Sequence, residues 1–294
     1  MPNDAVVLGA AQYGKAEVRL LHVDRRRPDH RITDLNVTIT LAGDQADTYL
    51  TGDNAKVLTT DAQKNTVYAF AREQWAAAPE EFGLRLARHF AAVPSVSRAQ
   101  VRIERYGWRP VAAGGAPHPH SFERLAGTRI ASACVHGDGR AEVVAGVGDL
   151  ILLKSSGSEF EGFLEDRYTT LEPTKDRILA TAVDARWRLA AGDAGWDAAF
   201  AGARAALAEA FAVTHSRSLQ QTLYAMGAAV LAACPQVCEA RLSLPNRHHF
   251  LVDLSPFGLD NPGEVFYAAD RPYGLIEGTV AREGAPAGDP EHQW

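Results

Sequence analysis

The sequence predicts an α+β protein of two tandem units, residues 1–138 and 139–294, each an antiparallel four-stranded sheet with two helices on one face. Three observations predict it. Two segments alternate at the period of a half-buried strand. In one, Leu35, Val37, Ile39 and Leu41 alternate with Asn36, Thr38 and Thr40. In the other, Ala99, Val101 and Ile103 alternate with Arg98, Gln100, Arg102 and Glu104. Two capping-box spacings, Thr60 with Gln63 and Ser218 with Gln221, mark helix starts. The order strand, strand, helix, helix, strand, strand occurs twice, and such a unit buries one sheet face under a helix pair.

In chain order, residues 1–15 are mixed and end in Tyr13-Gly14-Lys15, and Val18 to Val23 reads as a short strand. The alternating strand from Leu35 follows. A helix opens at Thr60 or Asp61 and runs to about Gln74. A second follows Pro79, a first-turn proline, with Phe82, Leu86, Phe90 and Val93 on one stripe. After the strand around Arg98 to Glu104, Gly114 to His120 reads as a loop. A strand near Arg129 to His136 ends at the turn Gly137-Asp138-Gly139, where the unit boundary falls. In the second half, Val143 to Lys154 and Ile178 to Leu189 read as strands. Asp197 to Ala212 is a helix with Phe200, Ala203, Leu207 and Phe211 on one face. Ser218 opens another through about Ala233. Glu239 to Leu254 is a long strand, Val265 to Ala269 and Leu275 to Arg282 give the last, and the polar tail from Glu283 reads as frayed.

At 294 residues the chain is long for one core. Its 46% hydrophobic and 22% charged content fits a soluble protein. The net charge of −6 argues against a nucleic-acid surface, and the triplet Arg25-Arg26-Arg27 reads as a solvated strand end. No N-terminal signal segment is visible. The longest near-apolar stretch, Ala225 to Cys234, is about half of the roughly 20 residues a membrane helix needs. These features predict a soluble, intracellular protein without membrane or nucleic-acid partners. Three cysteines fit a reducing compartment. Cys234 and Cys238 form a metal half-site without a second half at zinc spacing, so they read as buried thiols.

Two places carry candidate chemistry. The start of the Thr60 helix leaves backbone N–H groups unpaired at the positive end of the macrodipole, where a planar anion is held well. On spacing alone, however, Thr60 is a cap. In the long late strand Ala240, Leu242, Leu244, Asn246, His248, Phe250, Val252 and Leu254 share one parity, so Asn246 and His248 interrupt an inward row. Buried polar groups need partners, and two adjacent ones fit a polar cavity. A lone His there reads as a satisfied core residue.

The ordered set Tyr13-Gly14-Lys15, Thr60-Asp61 with Lys64-Asn65-Thr66, Pro117-His118-Pro119-His120-Ser121-Phe122, Phe160 with Gly162-Phe163, Asp176-Arg177-Ile178-Leu179, Gln220, and Leu244-Pro245-Asn246-Arg247-His248-His249-Phe250 resembles urate oxidase (uricase). The resemblance runs from residue 13 to about 280. It implies the tunnelling fold in a homotetramer that closes sheets into barrels, with active sites shared between subunits. It also implies oxidation of urate by O2 and water to 5-hydroxyisourate and H2O2, in purine degradation, without metal, flavin or haem. Accordingly the chain has no Walker A motif or Gly-rich dinucleotide loop.

Carried over, Phe160 is the aromatic floor under the purine, and Arg177 and Gln220 grip its edge. The backbone N–H groups of Asp61 and Leu219 complete the frame. Lys15 and Thr60 form a catalytic dyad that His248 extends as a proton relay, and Asn246 holds O2 or the attacking water. Taken singly, Phe160 is core, Arg177 a surface ion pair and Gln220 first-turn filler. Glu161 stands where family members often carry an aromatic, and Leu219 where valine is common. No Ser-Lys-Leu signal ends the chain, which implies a cytoplasmic enzyme of the bacterial type. Two other readings are a zinc-dependent pterin-type enzyme on the same fold, using His118 and His120, and a non-catalytic purine-binding module. The first lacks a third ligand at suitable spacing, and the second has no need of Lys15, Thr60 and His248.

Overall fold

The computed structural model describes residues 6–189 and 195–292. They form β1 (Tyr13–Asp24), β2 (Arg31–Gly43), α1 (Ala46–Leu50), α2 (Thr60–Glu73), α3 (Pro79–Ala91), β3 (Val96–Ala113) and β4 (Ala116–His136). Then come β5 (Ala141–Lys154), β6 (Leu179–Leu189), α4 (Trp196–Val213), α5 (Leu219–Ala233), β7 (Val237–Leu251) and β8 (Phe266–Ala281). Contacts gather the chain into two units. One comprises residues 1–145, 188–196 and 287–294, and the other residues 146–187 and 197–286. The fold is α+β with antiparallel pairing, and in each unit neighbouring strands follow chain order.

In the first unit the alternation of β2 sets the core. Leu35, Val37, Ile39 and Leu41 are buried, while Asn36, Thr38 and Thr40 are half-exposed. Val37 pairs with Ile103 and Ile39 with Val101; β4 continues the row with Ala131 and Ala133. The stripe of α3 meets this face. Phe82, Leu86 and Phe90 are fully buried, and a Cβ on Gly83 would lie 3.4 Å from Ile103 Cδ1. Truncating Phe82 to Ala would cost about 3–5 kcal/mol. Glu80, in the first turn of α3, is buried as well. It accepts from Arg129 Nη2 of β4 at 2.6 Å, a pair whose breakage strands a charge in the core.

In the second unit α5 lies close on β7 and β8. A Cβ on Gly227 would stand 2.6 Å from Val280 Cγ2, and one on Gly278 2.9 Å from Leu223 Cδ2. These glycines set how near the helix comes.

Several sequence expectations change in detail. α1 was not expected. Gly114 to His120 is not a loop: Gly114 and Gly115, both at positive φ, make the turn, and Pro117 to His120 already lie in β4. β7 ends at Leu251 rather than Leu254, and the last two strand segments are one strand, β8. The tail is not frayed in its described part, since His292 is 4% exposed and Asp289 bonds His136. No helix among the described residues is long and apolar enough to cross a membrane.

Candidate active site

In the second unit, one carboxylate organises the loop between β5 and β6. Asp176 accepts from Ser156 Oγ at 2.7 Å and from the Gly157 N–H at 2.8 Å. These bonds, the serine hydroxyl foremost, hold it below the usual carboxylate range. The same stretch pairs with itself. The Arg177 N–H donates to the Ser158 carbonyl at 2.7 Å, and Phe160 and Thr174 exchange both backbone bonds. Phe160 and Arg177 are thereby fixed against each other. The Arg177 guanidinium carbon lies 5.0 Å from the centre of the Phe160 ring, whose other neighbour, Phe163, stacks at 5.1 Å.

Arg177 Nε is buried without a hydrogen-bond partner among the described residues. Burial lowers its pKa from the usual arginine value. Such a donor is costly to leave unmade, and an anion laid on Phe160 would satisfy it. His248, on β7, feels this charge: burial first, then Arg177 and His249, push its pKa below 6.5. At neutral pH it is an uncharged imidazole, able to accept a proton on one nitrogen and donate from the other. It stacks with Phe250 at 5.7 Å. Asn246, on the same strand, is half-buried opposite Gly274; the register with β8 shifts between Asn246 and His248.

The start of α5 is wired to this loop. Ser216 N–H donates to the Gly157 carbonyl and Glu159 N–H to the Ser216 carbonyl. Thr222 Oγ1, from the first turn, donates to Ser216 Oγ at 2.8 Å, both residues being buried, and to the Ser218 carbonyl at 3.2 Å. Ser218 caps α5 by accepting from the Gln221 N–H, and Gln221 Oε1 accepts from the Arg217 N–H. Leu219 and Gln220 occupy the first two helical positions, whose N–H groups have no partner within the helix. The Gln220 side chain is exposed and that of Leu219 buried.

In the first unit, Lys15 stands at a break in β1. The register shifts between Lys15 and Val18, Glu17 has φ +56°, and its N–H donates to Thr38 Oγ1 at 3.1 Å. Gly14 allows this course: a Cβ there would sit 1.8 Å from the Ile39 carbonyl oxygen. Tyr13 Oη accepts the Leu58 N–H at 3.0 Å, tying β1 to the segment before α2. The cap of α2 is Thr59, whose hydroxyl accepts from the Ala62 N–H at 3.1 Å; Thr60 is the first helical residue. The expected capping box therefore does not form: the cap moves back one residue and Ala62 takes the third helical position. Gln63 is buried and donates to the Leu58 carbonyl instead. Asp61 bonds Lys64 at 2.5 Å and Asn65 at 3.0 Å, and its pKa falls mainly through Lys64, with a smaller share from Lys15. Lys15 and Asp61 thus lie within electrostatic reach of each other in the first unit, with Thr60 next to Asp61, and Phe160, Arg177 and His248 neighbour one another in the second.

Sequence reasoning passed over Thr59, Ser158, Ser216 and Thr222, and gave Asp176, though it stands in the motif with Arg177, no role. The polar run Ser155-Ser156-Gly157-Ser158 between two strands was the available signal for the loop that Asp176 holds. His118 and His120, stacked at 4.6 Å on β4, lie in the first unit with His30 at 6.0 Å from His120.

A family model for uricase matches residues 11–130 and 143–277. The uricase of Arthrobacter globiformis is 52% identical over 287 residues, which cover 97% of this chain and 93% of that protein. The uricase of Dictyostelium discoideum is 38% identical over 275 residues, covering 92% and 96% respectively. The crystal structure of the A. globiformis uricase aligns with a TM-score of 0.92, covering 97% of this chain and 98% of that one. By sequence and by fold, the chain belongs to the uricase family.

Proposed function

We propose that this chain oxidises urate with O2 and water to 5-hydroxyisourate and H2O2, without a cofactor, at a site assembled between copies of itself. The observation that carries this reading is the half-buried Arg177. Its Nε lacks a partner among the described residues and its charge lies over the Phe160 ring, beside a neutral His248.

In this reading urate stacks on Phe160. Arg177 and Gln220 bond its edge, and the N–H groups of Asp61 and Leu219 receive its opposite side at two helix starts. Lys15 draws a proton from the bound urate through Thr60 and a water, and His248 extends the relay. The electron-rich anion gives two electrons to O2, which leaves as H2O2 with two protons. Water, positioned by Asn246, adds its oxygen to the oxidised ring. Lys15 and Thr60 come from one subunit, and Phe160, Arg177, Leu219, Gln220, Asn246 and His248 from its neighbour. Two tunnelling-fold units per chain, divided near residue 138, pair their open edges in a homotetramer. The enzyme works in the cytoplasm.

The test is a urate-bleaching assay with parallel O2 and H2O2 measurement on chelator-dialysed protein. Equal consumption of urate and O2, with equal release of H2O2, is expected. Absence of turnover, or turnover that appears only on adding zinc, would overturn the reading.

A further inference from the structure

Away from that chemistry, three ligand-type side chains converge in the first unit. Cys134 and His136 project from the same face of β4, two residues apart, and Asp289 reaches them from the C-terminal segment. Their ligand atoms all lie within 4.8 Å of one another. Cys134 Sγ is 4.0 Å from His136 Nε2 and 3.7 Å from Asp289 Oδ2. A tetrahedral zinc with bonds of about 2.3 Å to sulfur and about 2.0 Å to nitrogen and oxygen separates its sulfur from either neighbour by roughly 3.5 Å. The two sulfur edges therefore stand near the required lengths. The third edge is closed by the hydrogen bond between His136 Nε2 and Asp289, and a cation would take the place of its proton.

We propose that Cys134, His136 and Asp289 form a three-ligand site for a zinc-type divalent cation that fastens the C-terminal segment to β4. Thiolate, imidazole and carboxylate together suit a borderline-soft ion better than calcium or magnesium.

The surroundings hold the three residues in place before any ion arrives. The Asp289 N–H donates to Glu142 Oε2 at 3.1 Å, and Asp289 Oδ1 accepts from the Glu291 N–H at 3.0 Å. His292 bridges Glu142 at 2.8 Å and Ser132 at 2.7 Å, and Ser132 bonds Gln100. Arg98 lies beside Cys134, where its charge favours the thiolate; its guanidinium is engaged by the Glu291 carbonyl and carboxylate and by Gln12. Arg140 also acts on Asp289. Without an ion, burial and Asp289 push the Cys134 thiol up to about 12. Binding therefore displaces the thiol proton, the Nε2 proton leaves or moves to Nδ1, and occupancy rises with pH. The fourth position is left for water.

The probe is Co(II) added to the full-length protein. One equivalent should give the near-ultraviolet thiolate-to-cobalt band and the intense visible bands of a four-coordinate ion. Zinc should displace it and raise Tm by several degrees. The thiolate band should vanish in Cys134→Ser and persist in Cys234→Ser. His136→Gln and Asp289→Asn, whose side chains are nearer the surface, should bind at least tenfold more weakly while keeping the unliganded fold by circular dichroism. The urate oxidation rate should be the same with and without zinc, because none of the three residues belongs to the proposed catalytic set. Absence of a thiolate band, its survival in Cys134→Ser, or unchanged affinity in both His136→Gln and Asp289→Asn would show that the three residues only dock the tail by hydrogen bonds.

Discussion

At Arg177 two effects oppose each other. Burial disfavours the cation, yet a guanidinium loses its proton too reluctantly for this to discharge it near neutral pH. The result is a charged donor with an unmet bond, held by a short backbone pairing beside Phe160. Replacing it with Gln keeps an amide donor but removes the charge. Arg177→Gln should lower kcat/KM by about 30-fold, the equivalent of about 2 kcal/mol for a charge-assisted bond. Steady-state kinetics at fixed O2 check this. His248 reports on the same charge. Its neutral form is the working one, and its protonation sets in below 6.5. An acid limb due to His248 should therefore fall below pH 6.5, and should move up in Arg177→Gln, where one cause of the depression is gone. The stability link has the matching sign. The unfolded chain takes up this proton more readily, so stability from this residue declines as pH falls through 6.5 and levels off below the folded value. Little of this could be read from single residues, because Phe160, Arg177 and Gln220 each look ordinary alone. Their ordered pattern named them. Ser216 escaped because its backbone partners, Gly157 and Glu159, lie far back in the sequence, and Asp176, though present in the motif, got no role because Ser156 and Gly157 are likewise distant from it in the sequence.

Elements were more legible than their ends. The alternation at β2 and β3 and the stripe of α3 are local signals, and both translate directly into buried faces. The limits slipped where a neighbour decided them. β4 extends back through two prolines and two histidines because β3 lies alongside to pair with it. α2 starts on Thr59 because the first of two adjacent threonines has the extended backbone, φ −57° and ψ 145°, that aims its hydroxyl at Ala62. Helix-to-sheet distance is also invisible in a local pattern. It depends on Gly227 facing Val280, a residue far along the chain. Gly227→Ala gains helix propensity but forces a methyl into a β-branched side chain with little freedom to turn. The overpacking should win, destabilising the protein by about 1–3 kcal/mol in urea unfolding. A stabilised variant would mean that α5 sits further from the sheet.

For the molecule as a whole, the proposal that two copies build each site makes a sharp demand. Lys15→Met and Arg177→Ala should each be nearly inactive alone. Mixed and reassembled in equal amounts, they should recover activity at about a quarter of the sites, since each restored site takes Lys15 from one variant and Arg177 from the other. No recovery in verified mixed oligomers would place all the residues in one chain. Open strand edges leave room for such pairing: among the described strands β1 is bonded to β2 alone and β8 to β7 alone. The C-terminal segment is the other feature of this scale. Its glycine and proline content suggested loose chain, whereas His292 is enclosed between Glu142 and Ser132. A load applied to the chain beyond His292 would therefore pull on an anchored strap. Attachment chemistry is better directed to the exposed hairpin tip at Gly114–Gly115, where added bulk meets open space.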